Sequence, residues 1–173
     1  FTALPFAASA ATPATSAGGK YVFAYFTGDN TSEQKIRFAV SDDGYNFTAI
    51  NGNQPVVEQT TGTGCARDPY LFRGQDGYYY MVATDMDASL GWWDVNDAMT
   101  VWRSADLVNW SEESHISIKD VKNADGTPAL PANETVHCFW APQVIWDDST
   151  GKYMVYFSLS TSSFTGGSEQ KIY

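Results

Sequence analysis

The residue whose type and position are best suited to catalysis is an aspartate that directly precedes a proline. Asp68 precedes Pro69, and segment 65–72 (CARDPYLF) recurs as segment 138–145 (CFWAPQVI). At the position equivalent to Asp68 the second copy carries Ala141. A carboxylate where the other copy has a methyl group favours a role in a site rather than in the fold. A second interpretation stays equally open on the residues alone: Asp68 caps a turn before the proline, as aspartate often does.

Other residues near these segments have side chains suited to binding a polar, uncharged ligand. Arg67 would favour the charged form of Asp68 if its side chain reaches the carboxylate, although neighbours on a strand point to opposite faces. Asp85 follows a strand-like segment and is suited to binding hydroxyl groups, with turn formation as the preferred alternative. Aromatic rings in loops are natural platforms for a sugar ring. The loop candidates are Trp92 and Trp93. Trp140, two residues before Pro142, is a further candidate, with packing in the core as an equally open alternative.

The composition excludes several classes of protein. The chain has 173 residues, of which 43% are hydrophobic and 15% aromatic, which excludes a disordered chain. A formal net charge of −10 argues against nucleic-acid binding, since phosphate contacts need clustered Lys and Arg. No apolar run approaches the roughly 20 residues that span a membrane, so no membrane contact is expected. Low charge with abundant aromatic residues favours carbohydrate as the ligand.

The first 19 residues predict a separate segment. Residues 1–10 (FTALPFAASA) are apolar and end in small residues, and residues 11–19 are small, polar and linker-like. We interpret 1–19 as a signal-peptide remnant or a flexible linker. The first of these predicts a secreted or cell-surface protein.

From residue 20 onward the pattern predicts an all-β domain. The predicted strands are rich in aromatic and β-branched residues and are bounded by turn signals such as Asp43-Gly44 and Asp76-Gly77. No segment shows the periodicity of an amphipathic helix. The strands that we predict most directly are 21–27, 36–40, 78–84, 99–103 and 153–158.

Internal repeats favour a β-propeller among the all-β folds. Besides the segments around Asp68 and Ala141, segment 41–48 (SDDGYNFT) recurs as segment 104–111 (SADLVNWS). Each unit then reads as four antiparallel strands, the pattern of a propeller blade. Only about two to three blades fit within 20–173, whereas a propeller needs at least four to close. The sequence therefore predicts the N-terminal part of a longer protein whose remaining blades lie C-terminal.

The order of the short motifs resembles one known family. Arg67-Asp68-Pro69, then 78–80 (YYY), 104–110 (SADLVNW), 140–142 (WAP) and 151–153 (GKY) resemble glycoside hydrolase family 43 over about residues 20–173. The resemblance implies a five-bladed propeller enzyme acting on arabinose- or xylose-containing plant polysaccharides. It implies that Asp68 is the catalytic base, that Trp140 borders the substrate pocket, and that two further acidic residues lie beyond Tyr173.

The chemistry of an inverting glycosidase agrees with this assignment. One ionised carboxylate deprotonates water and one protonated carboxyl releases the leaving group, with roughly 6.5–9.5 Å between them. A propeller places each carboxylate on the inner strand of a different blade. A non-catalytic carbohydrate-binding propeller stays open as an alternative, since the deciding carboxylates lie outside these residues. Fructan-cleaving enzymes and mannoside phosphorylases fit the motif order less well.

The two cysteines occupy equivalent positions in the repeat. Cys65 and Cys138 each lie four residues before a proline, so we expect them at the same height around the channel. A disulfide and two buried free thiols are both open, the thiols being slightly favoured. No pattern of His and Cys residues predicts a zinc site, and we expect no metal and no cofactor.

Overall fold

Within the part of the chain that the structure describes, ten strands form three separate antiparallel sheets in chain order. A computed structural model describes residues 21–91, 96–162 and 170–173. The strands are β1 (Tyr21–Tyr25), β2 (Arg37–Ser41), β3 (Thr48–Ala49), β4 (Ala66–Arg73), β5 (Tyr79–Asp85), β6 (Ala98–Ser104), β7 (Trp110–Ser117), β8 (Val136–Asp147), β9 (Lys152–Thr161) and β10 (Lys171–Ile172). Three short 3-10 helices occur at Asn51–Asn53, Ala88–Leu90 and Ile118–Asp120.

Each sheet is a meander in which consecutive strands pair. The first sheet has the order β1-β2-β3, the middle sheet β4-β5-β6-β7, and the third sheet β8-β9-β10. The all-β prediction is confirmed, and three successive meanders agree with the prediction of two to three propeller blades. The middle sheet is the four-stranded unit that the repeats predicted.

The hydrophobic core lies between consecutive sheets. One cluster joins Ile36 and Phe38 of the first-sheet region to side chains of the middle sheet, among them Met81 and Trp102. Along β6 the side chains alternate, so that Trp102 belongs to this cluster and Met99 to a second one. The second cluster includes Phe139 of β8 and Leu159 of β9. The sheets therefore pack face against face, as propeller blades do.

The repeated turns have the same hydrogen bonds in two sheets. After β2, the Asp43 carboxylate accepts the N–H groups of Tyr45 and Asn46, both at 2.8 Å. After β6, Asp106 accepts the N–H groups of Val108 and Asn109 at 2.9 and 2.8 Å. The repeat in the sequence is thus a repeat in atomic structure.

Among the described residues, no helix combines the length and the apolar character needed to cross a membrane.

Candidate active site

The backbone places Asp68 in an unusual conformation. The pairing register of β4 with β5 shifts between Arg67 and Tyr70, where β4 forms a bulge. Asp68 lies in this bulge and has a φ of +48°. Ala141, at the equivalent bulge on β8, has a φ of +49°. A residue before proline normally stays extended, and a left-handed conformation costs about 1–2 kcal/mol for a residue with a Cβ. A β-bulge changes the direction in which a side chain points. Because the two bulges have the same geometry, they present Asp68 and Ala141 in the same way.

The Asp68 carboxylate is partly buried and has one anchored oxygen. Its Oδ2 accepts a hydrogen bond from Oγ1 of Thr84 at 3.0 Å. Thr84 is fully buried, and its Oγ1 also accepts the backbone N–H of Ala141 at 2.8 Å. Within the described part of the chain, Oδ1 of Asp68 has no hydrogen-bond partner. One oxygen is therefore held and the other is available to a water molecule or a ligand.

Arg67 lies beside Asp68 but contacts the first sheet's connecting loop. Its guanidinium is buried and donates to Oδ1 of Asp29 at 2.8 Å and to Oε1 of Gln34 at 3.0 Å. It also stacks over the ring of Phe26, 4.5 Å from the centroid. These contacts join the first and middle sheets. A role of Arg67 in binding substrate stays a prediction.

Asp85 is buried in the interior, where its carboxylate accepts hydrogen bonds, and it does not form a turn. The residue is 2% exposed, and its Oδ1 accepts from Nε2 of Gln59 at 2.6 Å and from both the N–H and the hydroxyl of Thr63. Its Oδ2 lies 2.6 Å from Nε2 of His115. The preferred turn interpretation was therefore wrong, because both oxygens bind groups distant in sequence. Contact with sugar hydroxyls stays a prediction.

Asp85 and His115 also line a pocket of about 370 Å³ at this rim of the middle sheet. Asp87 and Asp97 are also among the residues that line this pocket. Across the described ranges, no group of three or more His, Cys, Asp or Glu side chains is arranged to hold a metal ion.

The tryptophan candidates have different outcomes. Trp140 immediately precedes the bulge at Ala141, is partly buried, and donates from Nε1 to Oδ1 of the fully buried Asn96 at 3.2 Å. Its ring therefore lies within β8, on the sheet next to the one that carries Asp68. Trp92 and Trp93 lie outside the described residues. For all three, contact with substrate stays a prediction.

Sequence reasoning missed a buried glutamine that connects two sheets. Gln34 donates from Nε2 to Oδ1 of Asp87 at 2.9 Å, and its Oε1 accepts from Arg67 and from the N–H of Ala88. Burial raises the pKa of Asp87, but hydrogen bonds from Ser89, Gln34 and Thr31 outweigh it and hold that pKa below its usual value. The repeat of SEQKI at 32–36 and 168–172 was the available signal for Gln34.

The cysteines are both free and fully buried. Burial raises the pKa of each thiol to about 11, with the charge of Asp87 adding to the effect at Cys65. The favoured expectation of two buried thiols is therefore confirmed.

Three consecutive meanders with a carboxylate presented at an inner-strand bulge define a propeller domain of the glycosidase type. The family comparison gives the same answer: residues 17–173 match the family described as a probable glycosyl hydrolase domain, related to glycoside hydrolase family 43. The chain belongs to this family. The predicted resemblance is thereby confirmed.

Known proteins give a consistent but partial comparison. The chain is 29% identical over 147 residues to an α-L-arabinofuranosidase of Bifidobacterium longum, a match covering 80% of this chain and 13% of that protein. The chain thus spans only a small part of this curated relative.

Two solved structures are similar to this chain over parts of their length. One is a family 32 β-fructofuranosidase of Bombyx mori, with a TM-score of 0.48, 22% identity and coverage of 80% of this chain and 26% of that one. The other is an α-L-arabinanase of Penicillium chrysogenum, with a TM-score of 0.41, 14% identity and coverage of 87% and 43%. Both scores lie below 0.5, and the family assignment does not depend on them.

Proposed function

We propose that the protein is an inverting glycoside hydrolase acting on arabinose- or xylose-containing plant polysaccharides or oligosaccharides, with Asp68 as the general base. The observation that carries the proposal is the presentation of this carboxylate. Asp68 stands at a positive-φ bulge before a proline, with Oδ2 anchored by Thr84 and Oδ1 open among the described residues. The equivalent bulge carries Ala141, which has no group that can act as a base.

The proposed reaction divides the work between two carboxyl groups. Asp68 removes a proton from the water that attacks the anomeric carbon, while a protonated carboxyl on the opposite side of the sugar donates to the leaving oxygen. We place that second group, and the residue that tunes it, on later blades beyond Tyr173. The relative's name supports arabinofuranosides as the first substrates to test. Residues 1–19 support export from the cell as part of the proposal.

The test is the variant Asp68→Asn in the full-length protein. Loss of a general base typically costs about 10²–10⁴-fold in rate. We expect kcat on 4-nitrophenyl α-L-arabinofuranoside or β-D-xyloside to fall by that amount, with the melting temperature nearly unchanged. The matched control is Asp42→Asn, since Asp42 is exposed and carries the same charge away from the bulge. Wild-type turnover by Asp68→Asn would reject Asp68 as the base.

A binding assay separates the enzyme from its non-catalytic alternative. Titration of arabino- and xylo-oligosaccharides into the wild-type protein should show binding together with turnover, and NMR of the first product should show inverted anomeric configuration. Binding without any turnover would instead identify a carbohydrate-binding propeller.

A further inference from the structure

We propose that Thr84 is the positioning residue for Asp68: a hydrogen-bond relay from the neighbouring sheet through Thr84 holds the Asp68 carboxylate in the orientation in which it acts as a base. The relay runs from the N–H of Ala141 to Oγ1 of Thr84 at 2.8 Å, and from there to Oδ2 of Asp68 at 3.0 Å. This inference rests on the proposed role of Asp68 as a base.

Each of the two hydrogen bonds has a defined direction. A backbone N–H can only donate, so Oγ1 of Thr84 accepts from Ala141. A threonine hydroxyl has a single proton, and in the structure it is donated to Oδ2 of Asp68. The relay therefore holds one particular oxygen of the carboxylate.

The position of Thr84 makes the relay a rigid one. Thr84 is fully buried and pairs directly with Arg67, the residue before Asp68, in the β4–β5 ladder. Both residues that it contacts, Asp68 and Ala141, are the left-handed residues of the two equivalent bulges. A single hydroxyl therefore ties the bulge of the middle sheet to the bulge of the third sheet and fixes the orientation of the carboxylate between them.

As a consequence, the two oxygens of the Asp68 carboxylate have different roles in the reaction. With Oδ2 held by Thr84, Oδ1 is the oxygen left to take the proton of the attacking water. Loss of the hydroxyl should let the carboxylate rotate. The rotation should reduce base catalysis without removing a contact to substrate.

The test compares two nearly isosteric substitutions of buried threonines in the full-length protein. Thr84→Val removes the relay. Thr100→Val is the matched control, because Thr100 is also fully buried in the middle sheet, and its hydroxyl has no hydrogen-bond partner within the described part of the chain. A fall in kcat without a change in KM, reversed by Thr84→Ser, is the readout that a merely structural role would not give.

For Thr84→Val we expect kcat to fall by about tenfold to hundredfold, the range of one hydrogen bond to a charged group. KM should stay close to the wild-type value. Thr84→Ser, which keeps the hydroxyl, should restore kcat, and Thr100→Val should leave kcat unchanged. If Thr84→Val does not fold, Thr84→Cys supplies a side chain of similar size with a weak donor, and its kcat should fall in the same direction.

An unchanged kcat in a folded Thr84→Val or Thr84→Cys protein would overturn the inference while leaving Asp68 as the base. An equal effect of Thr100→Val would also overturn it, since the loss would then reflect packing. Full activity of Asp68→Asn would reject the base assignment itself, and the relay's catalytic role with it.

Discussion

At the scale of single residues, the same strained backbone conformation occurs twice in the chain, each time with a different side chain. Asp68 and Ala141 have φ values of +48° and +49°, and both precede a proline. Strain of this kind persists only where surrounding contacts over-determine it, and it concentrates at functional sites. Here the bond from Ala141 to Thr84 and the bond from Thr84 to Asp68 supply such contacts. The backbone conformation is therefore common to both sheets, and the two positions differ in their side chains, a carboxylate in Asp68 and a methyl group in Ala141.

The thiols provide a prediction at the same scale. Cys65 and Cys138 are free and fully buried, and burial raises their pKa values to about 11. The thiolate is the reactive form, so at pH 8 both should resist alkylation in the folded protein. We expect iodoacetamide to label neither cysteine in native buffer and both in 6 M guanidinium without a reductant, as measured by mass spectrometry. Labelling of neither after denaturation would show a disulfide, and rapid native labelling would contradict the burial.

At the scale of elements, the two repeated turns are stabilised by a single aspartate each. Besides the backbone N–H groups, Asp43 accepts from the side chain of Asn46 at 2.7 Å and Asp106 from that of Asn109 at 2.8 Å. The backbone N–H of Asn46 is the main cause that lowers the pKa of Asp43, and that of Asn109 has the same effect on Asp106. These turns connect β2 to β3 and β6 to β7, so they set the register of the outer strands.

The turns predict a specific acid sensitivity. A carboxyl whose pKa is lower in the folded state stabilises the fold above its unfolded value of 3.8, and this stabilisation is lost as the pH falls towards the folded value. Asp106→Ala should lower the melting temperature at pH 7 by a few degrees and should flatten its fall below about pH 4. Asp42→Ala is the control, since the second turn has Ala105 at that position and keeps the same bonds. Equal melting curves for the two variants would contradict the assignment.

At the scale of the whole molecule, buried polar groups join the first and middle sheets beside the apolar cluster. Gln34 and Arg67 are both buried, and Gln34 contacts Arg67, Asp87 and Ala88 of the middle sheet. A buried polar group that loses its partner costs about 1–3 kcal/mol. Gln34 therefore contributes, beside the apolar cluster and the contacts of Arg67, to the relative placement of the two sheets and of the strand that carries Asp68.

Gln34→Ala tests that dependence. The substitution leaves Arg67 and the N–H of Ala88 without this acceptor, so we expect the free energy of unfolding to fall by about 2–3 kcal/mol. Urea unfolding followed by tryptophan fluorescence measures the change. Gln54→Ala is the matched control, because Gln54 is exposed and its side chain bonds to no described residue. A midpoint for Gln34→Ala equal to that of the control would show that the apolar cluster alone holds the sheets.

The sequence by itself determined the strands, the repeated turns and the candidate base. These features are local: alternation along a strand such as β6, a Ser-x-Asp turn within six residues, and a proline after Asp68 all act over short distances. The family resemblance rested on the same short motifs, and the match over residues 17–173 confirms it. The equivalence of Asp68 and Ala141 was readable because repeated units preserve position.

Only the tertiary structure decided which polar side chains serve the site and which serve the interior. Thr84 and Ala141 are 57 residues apart, and Gln34 and Ala88 are 54 apart, so no local pattern reveals either bond. Asp85 resembled a turn residue because the groups that bind it, on Gln59, Thr63 and His115, come from other segments. Hydrogen bonding is short-ranged and directional, whereas strand patterns need only periodicity. The packing of the sheets therefore determined the partners of each carboxylate, which the sequence alone could not.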